Sequence, residues 1–132
     1  MLKEGMEFEL KDKVTNLNTA KEMKSGGLLV YATPAMVALM EQAAYESVQP
    51  YMEDGKTTVG ILMNVKHISA SPVDMELSCK SKLCKIDGRK LSFKIEAFDS
   101  CGLIGTAEHD RFIVDAAGFQ KKTDSKAGNI DG

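Results

Sequence analysis

The stretch from Ala35 to Val48 limits what this chain can become more than any other. Thr33 is suited to cap a helix, Pro34 fits a first helical position, and no breaker follows until Pro50. On a helix, Ala35, Met36, Val37, Ala38, Leu39, Met40, Ala43, Ala44, Tyr45 and Val48 cover most of the circumference. A surface helix carries one apolar stripe, whereas a helix apolar nearly all round has to be enclosed. The rest of the chain must therefore wrap it.

Strands are available for the wrapping. Met6, Phe8 and Leu10 alternate within residues 5–15, and Thr57–Ala70 sets Val59, Ile61, Met63, Val65 and His67 on one face. Met75, Leu77, Cys79, Ser81 and Leu83 form the next inward row, which the hairpin signal Asp87-Gly88 ends. Leu91, Phe93, Ile95 and Ala97 continue to a break at Ser100-Cys101-Gly102, and a last strand runs from about Leu103 to Val114. Residues 16–27 are polar, end in Ser25-Gly26-Gly27 and read as a mobile connector. A strand, one buried helix and then four long strands in meander-like succession predict an α+β fold. One long central helix is wrapped by a curved antiparallel sheet of about five strands. Five strands cannot cover such a helix from every side, so a dimer with two sheets edge to edge is expected. The 132 residues suit one domain, 1–118, followed by a polar tail, 119–132, expected to be disordered.

Charge and cysteine usage exclude several roles. The formal net charge of −2 comes from 17 basic and 19 acidic residues without a basic block, so no field gathers nucleic acid or acidic membranes. The longest apolar-looking run, Leu28–Met40, is broken at Thr33-Pro34 and is shorter than the roughly 18 residues a span needs. A charged N-terminus with no apolar run behind it gives no sign of a signal peptide. Cys79, Cys84 and Cys101 are odd in number, match no zinc or redox spacing, and read as reduced thiols of a cytoplasmic protein. Glu108, His109 and Asp110 lack the spacing of a metal site, and no glycine loop cradles a phosphate, so neither metal nor cofactor is expected.

Glu41 stands inside the apolar helix. Its neighbours three and four positions away are Val37, Ala38, Ala44 and Tyr45, whereas Glu46 has Gln42 and Gln49 beside it. An ionised carboxylate in apolar surroundings is costly unless a donor compensates, and such groups often serve as bases or nucleophiles. A dimer seam with a backbone or ionic partner is the plainer alternative. His67 falls on the strand face that should meet the helix, where a satisfied core histidine is the commoner finding. An inward Glu and an inward His on two packed elements could nevertheless share a substrate. Thr33 lies on roughly the same side of the helix as Glu41, although capping is its plainer role. His109 and Arg111 sit in the polar run Glu108-His109-Asp110-Arg111, which reads as a solvated strand end, with Arg111 able to bind an anion.

Four segments, Ala32-Thr33-Pro34-Ala35-Met36-Val37-Ala38-Leu39-Met40-Glu41, Thr58-Val59-Gly60, Asn64-Val65-Lys66-His67 and Ala70-Ser71-Pro72-Val73, carry a resemblance. Over about residues 5–116 the chain resembles the hot-dog-fold thioesterases of the fluoroacetyl-CoA thioesterase-like group. The resemblance implies a homodimer or dimer of dimers that hydrolyses acyl-CoA, coenzyme A being part of the substrate. It sets Thr33, Glu41 and His67 on the family's catalytic triad, with His able to come from the partner subunit. Gly60 falls on the glycine whose backbone lies against the acyl group, and Arg111 on an arginine near the active site. Members specialised for the fluorinated substrate carry aromatic lid residues just before the Thr. Here Lys24-Ser25-Gly26-Gly27-Leu28-Leu29-Val30-Tyr31 has no aromatic until Tyr31, so the fluoroacetyl specialty is not implied.

Thioester hydrolysis needs an activated water or a carboxylate nucleophile, and donors where oxyanion charge develops. Glu41 suits general base or nucleophile, His67 a hydrogen-bond or proton donor, and Thr33 an orienting group. A non-catalytic acyl-CoA-binding module is the rival from another class. A hydratase would want an Asp beside His67, which neither Asp74 nor Asp99 supplies. A purely structural dimerisation domain leaves the inward Glu and His without a cause.

Overall fold

The computed structural model describes residues 1–129. In chain order it has β1 (Glu7–Lys13), α1 (Thr33–Val48), a single 3-10 turn (Gln49–Tyr51), β2 (Lys56–His67), β3 (Glu76–Asp87), β4 (Lys90–Asp99), β5 (Gly102–Asp115) and α2 (Ala116–Asn129). The strands form one antiparallel sheet in the order β1-β3-β4-β5-β2. Only β3, β4 and β5 make a meander, turned at Asp87-Gly88 with Gly88 at φ +61°. Contrary to the meander-like expectation, β2 pairs with β5 rather than with β3. Residues 68–75 are too long a link for a tight hairpin and carry the chain from one sheet edge towards the other. As a result β2 has one paired side and one open side.

The sheet curves around α1. Met36, Leu39, Met40, Ala43, Ala44 and Val48 of the helix join Leu77, Leu83, Leu91, Phe93 and Ile95 in one core. The inward rows of β3 and β4 are those the alternation predicted. Enclosure of the helix is incomplete, however. Pro34, Ala38 and Tyr45 are exposed, and with half-buried Glu41 they follow one another at intervals of three or four residues along one helix face. One sheet can cover only one side of a helix.

Strand β2 departs from simple alternation. Its register against β5 slips at Ile61, between Gly60 and Leu62. A bulge inserts one residue and reverses which side chains point inward. Thr58 and Gly60 face the helix before the bulge, and Met63, Val65 and His67 after it. Ile61, read as inward, is 53% exposed.

Two segments expected to be loose are ordered. In residues 14–32 the Ala20 N–H donates to the Val30 carbonyl (2.8 Å) and the Met23 N–H to that of Thr19 (3.0 Å), with Thr19 fully buried. The tail expected to be disordered from 119 is helical through Asn129. Asp115 explains its start: its Oδ2 accepts the Gly118 N–H at 2.8 Å, a side-chain cap of the first turn. Residues 116–128 are exposed all round, so α2 extends from the domain without joining the core. Positions 130–132 of the expected tail lie outside the described residues.

Candidate active site

Two clusters form around α1, one near its start and one near its middle. At the start, Thr33 is the first helical residue and not the cap. Ala32 holds the cap position in extended conformation without a side-chain bond. The Thr33 hydroxyl is thus released from capping, and its Oγ1 lies 2.8 Å from His67 Nδ1. The imidazole Nε2 is buried without a protein partner, and the ring stands edge-on to Tyr31 at 6.3 Å. Burial lowers the His67 pKa from its ordinary value and so favours the neutral ring, partly opposed by the Ser69 backbone nearby. Thr33 and His67 line a cleft of about 280 Å³ together with Val30, Tyr31, Ser69 and Ala70 among others.

The second cluster gathers Glu41, Gly60, His109 and Arg111. A Cβ on Gly60 would come within 3.1 Å of Glu41 Oε2, 3.3 Å of His109 Cε1 and 3.5 Å of Arg111 Nη1. No positive φ requires glycine there; the need is for space. The Arg111 guanidinium is held flat by Thr58: Nε donates to Oγ1 at 2.8 Å and Nη2 to the backbone carbonyl at 2.9 Å. Its Cζ lies 5.6 Å from the Tyr45 ring, within cation–π range. Burial pulls its pKa down, and the Glu41 charge opposes that shift.

The expectation that Glu41 and His67 meet does not hold within one chain. Glu41 lies eight positions along the helix from Thr33, about 12 Å of rise. Along β2, Gly60 and His67 stand roughly 20 Å apart. The Glu41 charge acts instead on His109 and Arg111. Each chain therefore presents two separate clusters, Thr33–His67 and Glu41–Gly60–Arg111, to which β2 contributes His67 and Gly60.

His109 and Arg111 are the residues that the solvated-strand-end reading misplaced. It is 1% exposed and Arg111 7%. The signal was in the register: Ala97, Ile95, Phe93 and Leu91 of β4 stand opposite Gly105, Ala107, His109 and Arg111. Period two turns Glu108 and Asp110 outward and the intervening His and Arg inward. Among the described residues, no group of three His, Cys, Asp or Glu side chains is arranged to hold a metal ion. No described helix is long and apolar enough to cross a membrane. A larger concavity, about 990 Å³, lies on the opposite face of the sheet among Lys80, Lys82, Lys94 and Glu96, and contains none of the candidate residues.

Comparison with known proteins places this arrangement. A family model described as fluoroacetyl-CoA-specific thioesterase matches residues 14–117. The fluoroacetyl-CoA thioesterase of Streptantibioticus cattleyicolor is 33% identical over 97 residues, 74% of this chain and 70% of that protein. A solved structure of a fluoroacetyl-CoA thioesterase superposes with a TM-score of 0.91 at 27% identity, covering 96% of this chain and 98% of the other. A Thermus thermophilus thioesterase-superfamily protein shares the fold, with a TM-score of 0.90 at 24% identity over 98% of this chain and 96% of its own.

Proposed function

The chain belongs to the fluoroacetyl-CoA-specific thioesterase family, and from that premise we propose that it hydrolyses acyl-CoA thioesters at sites built between two copies. The observation that carries this reading is the division of the candidate residues into two clusters, one around Gly60 and one around His67 of the same open-edged strand. Antiparallel pairing of β2 with its counterpart, about a two-fold axis near Met63 and Asn64, brings Gly60 of one copy opposite the partner's His67. Paired strands lie about 4.8 Å apart. A two-fold axis generates the contact twice, giving two sites per dimer. The open edge of β2, exposed Ile61 and Leu62, and the uncovered stripe of Pro34, Ala38 and Tyr45 supply surface for the union.

In such a site Glu41 attacks the thioester carbonyl or draws a proton from the attacking water. Arg111 and the His67 Nε2–H stand ready for the charge that develops on oxygen or sulfur. Thr33 fixes the imidazole through Nδ1, and no cofactor enters the chemistry. A fluoroacetyl specialty is not part of this reading, because Lys24–Val30 offers no aromatic cover.

The direct test follows thiol release from a panel of short, long and aryl acyl-CoA substrates. Turnover of at least one is expected; saturable binding with no thiol released would favour a non-catalytic acyl-CoA-binding module. Gly60→Ala offers a second check. Its methyl would press Glu41 Oε2 and the His109 ring, and should reduce kcat about tenfold or more while the melting temperature stays close to that of the unmutated protein. Unchanged turnover would remove Gly60 from the acyl site.

A further inference from the structure

His109 has no part in the chemistry just described, yet its surroundings leave it one protonation state. Its Nδ1 lies 2.7 Å from the Leu62 carbonyl oxygen, which only accepts, so Nδ1 carries the hydrogen. Its Nε2 lies 3.3 Å from Arg111 Nη1, which only donates, so Nε2 offers a lone pair. The Leu62 carbonyl belongs to the residue just past the β2 bulge, and Phe93 of β4 packs against the ring at 6.1 Å. We infer that His109 is a positioning residue: held as the neutral Nδ1–H tautomer, it accepts from Arg111 and keeps the guanidinium aimed at the gap above Gly60, opposite Glu41.

Three of the five Arg111 N–H groups are engaged, by Thr58 twice and by His109 once. One N–H on each terminal nitrogen is left for a substrate oxygen. Among the described residues the ion pairs join Glu9 to Lys11 and Lys80, and none holds Arg111. Without a carboxylate clasp, the guanidinium depends on neutral acceptors for its direction, and Glu41 stays free for the reaction. A protonated His109 would turn an N–H against the guanidinium in a dry pocket. The charged and titratable groups around the ring are Arg111 of β5 and Glu41 of α1, with the outward-turned Asp110 next to it in β5 and Tyr45 beyond the guanidinium. Burial and Arg111 both disfavour the imidazolium, which agrees with the geometry.

This inference rests on the thioesterase reading for its consequence but not for its geometry, and the test separates the two. Nitrogen NMR of the unmutated protein should show Nδ1 protonated, Nε2 bare and no titration of His109 between about pH 5 and pH 8. An Nε2–H tautomer, or a midpoint inside that range, overturns the clamp. In turnover, His109→Phe removes both contacts and His109→Asn keeps only a donor to Leu62, so each should lower kcat by about tenfold to a hundredfold. His109→Gln restores an acceptor near Arg111 and should recover most of the loss; a Gln variant as poor as Phe, or Phe and Asn variants as fast as the unmutated protein, overturns it. If the unmutated protein releases no thiol from any acyl-CoA, the thioesterase reading falls, while the ring spectrum, which needs no substrate, still upholds or overturns the clamp.

Discussion

Mixing two inactive variants, Glu41→Gln and His67→Ala, is expected to restore thiol release to about a quarter of the unmutated level. If each site takes Glu41 from one copy and His67 from the other, either homodimer has two broken sites. The heterodimer has one site carrying both substitutions and one carrying neither. Random reassortment makes half of the dimers heterodimers, each with half its sites intact, which gives the quarter. A site contained in one chain gives no recovery at any mixing ratio, because every chain then carries a defect. Unfolding and refolding the variants together, followed by a rate measurement against the mixing ratio, distinguishes the two outcomes. Absence of recovery from correctly formed heterodimers would refute the shared site.

Glu41→Gln alone is expected to cut kcat and kcat/KM together, by about a hundredfold or more. The amide keeps the volume of the carboxylate but can neither take a proton from water nor attack a carbonyl. KM should change little if the carboxylate acts in the transition state rather than in holding the substrate. Folding should persist, because Glu41 forms no side-chain hydrogen bond or ion pair among the described residues and sits half-buried on the uncovered helix face. A variant with near-normal turnover would show that the carboxylate has another task. A variant with normal kcat and a raised KM would assign it to binding.

Much of the architecture could be read from periodicity. The inward rows Leu77–Leu83 and Leu91–Ala97, the turn at Asp87-Gly88 and the apolar helix ending before Pro50 all follow from side-chain alternation and local backbone preference. These are properties of a few neighbouring residues. The Ile61 bulge was not readable, because an extra residue in one strand is defined only against its partner. For the same reason His109 looked solvated: polarity of the run Glu108–Arg111 was visible, but which of its members faced inward depended on the register with β4. Thr33 resembled a cap because its residue type suits one, and only the position of His67, far along the chain, gives its hydroxyl another use.

Periodicity alone specified a greasy helix, the strands to wrap it, and a carboxylate and an imidazole at half-buried positions. The sequence also carried the family resemblance that named Thr33, Glu41, Gly60, His67 and Arg111. Tertiary structure decided that these residues divide into two groups, that β2 ends at an open edge, and that His109 holds Arg111. The physical reason is range. Helix and strand formation respond to neighbours a few residues away, whereas the distance between two side chains on different elements is set by sheet order, register and curvature, which no local stretch of chain encodes.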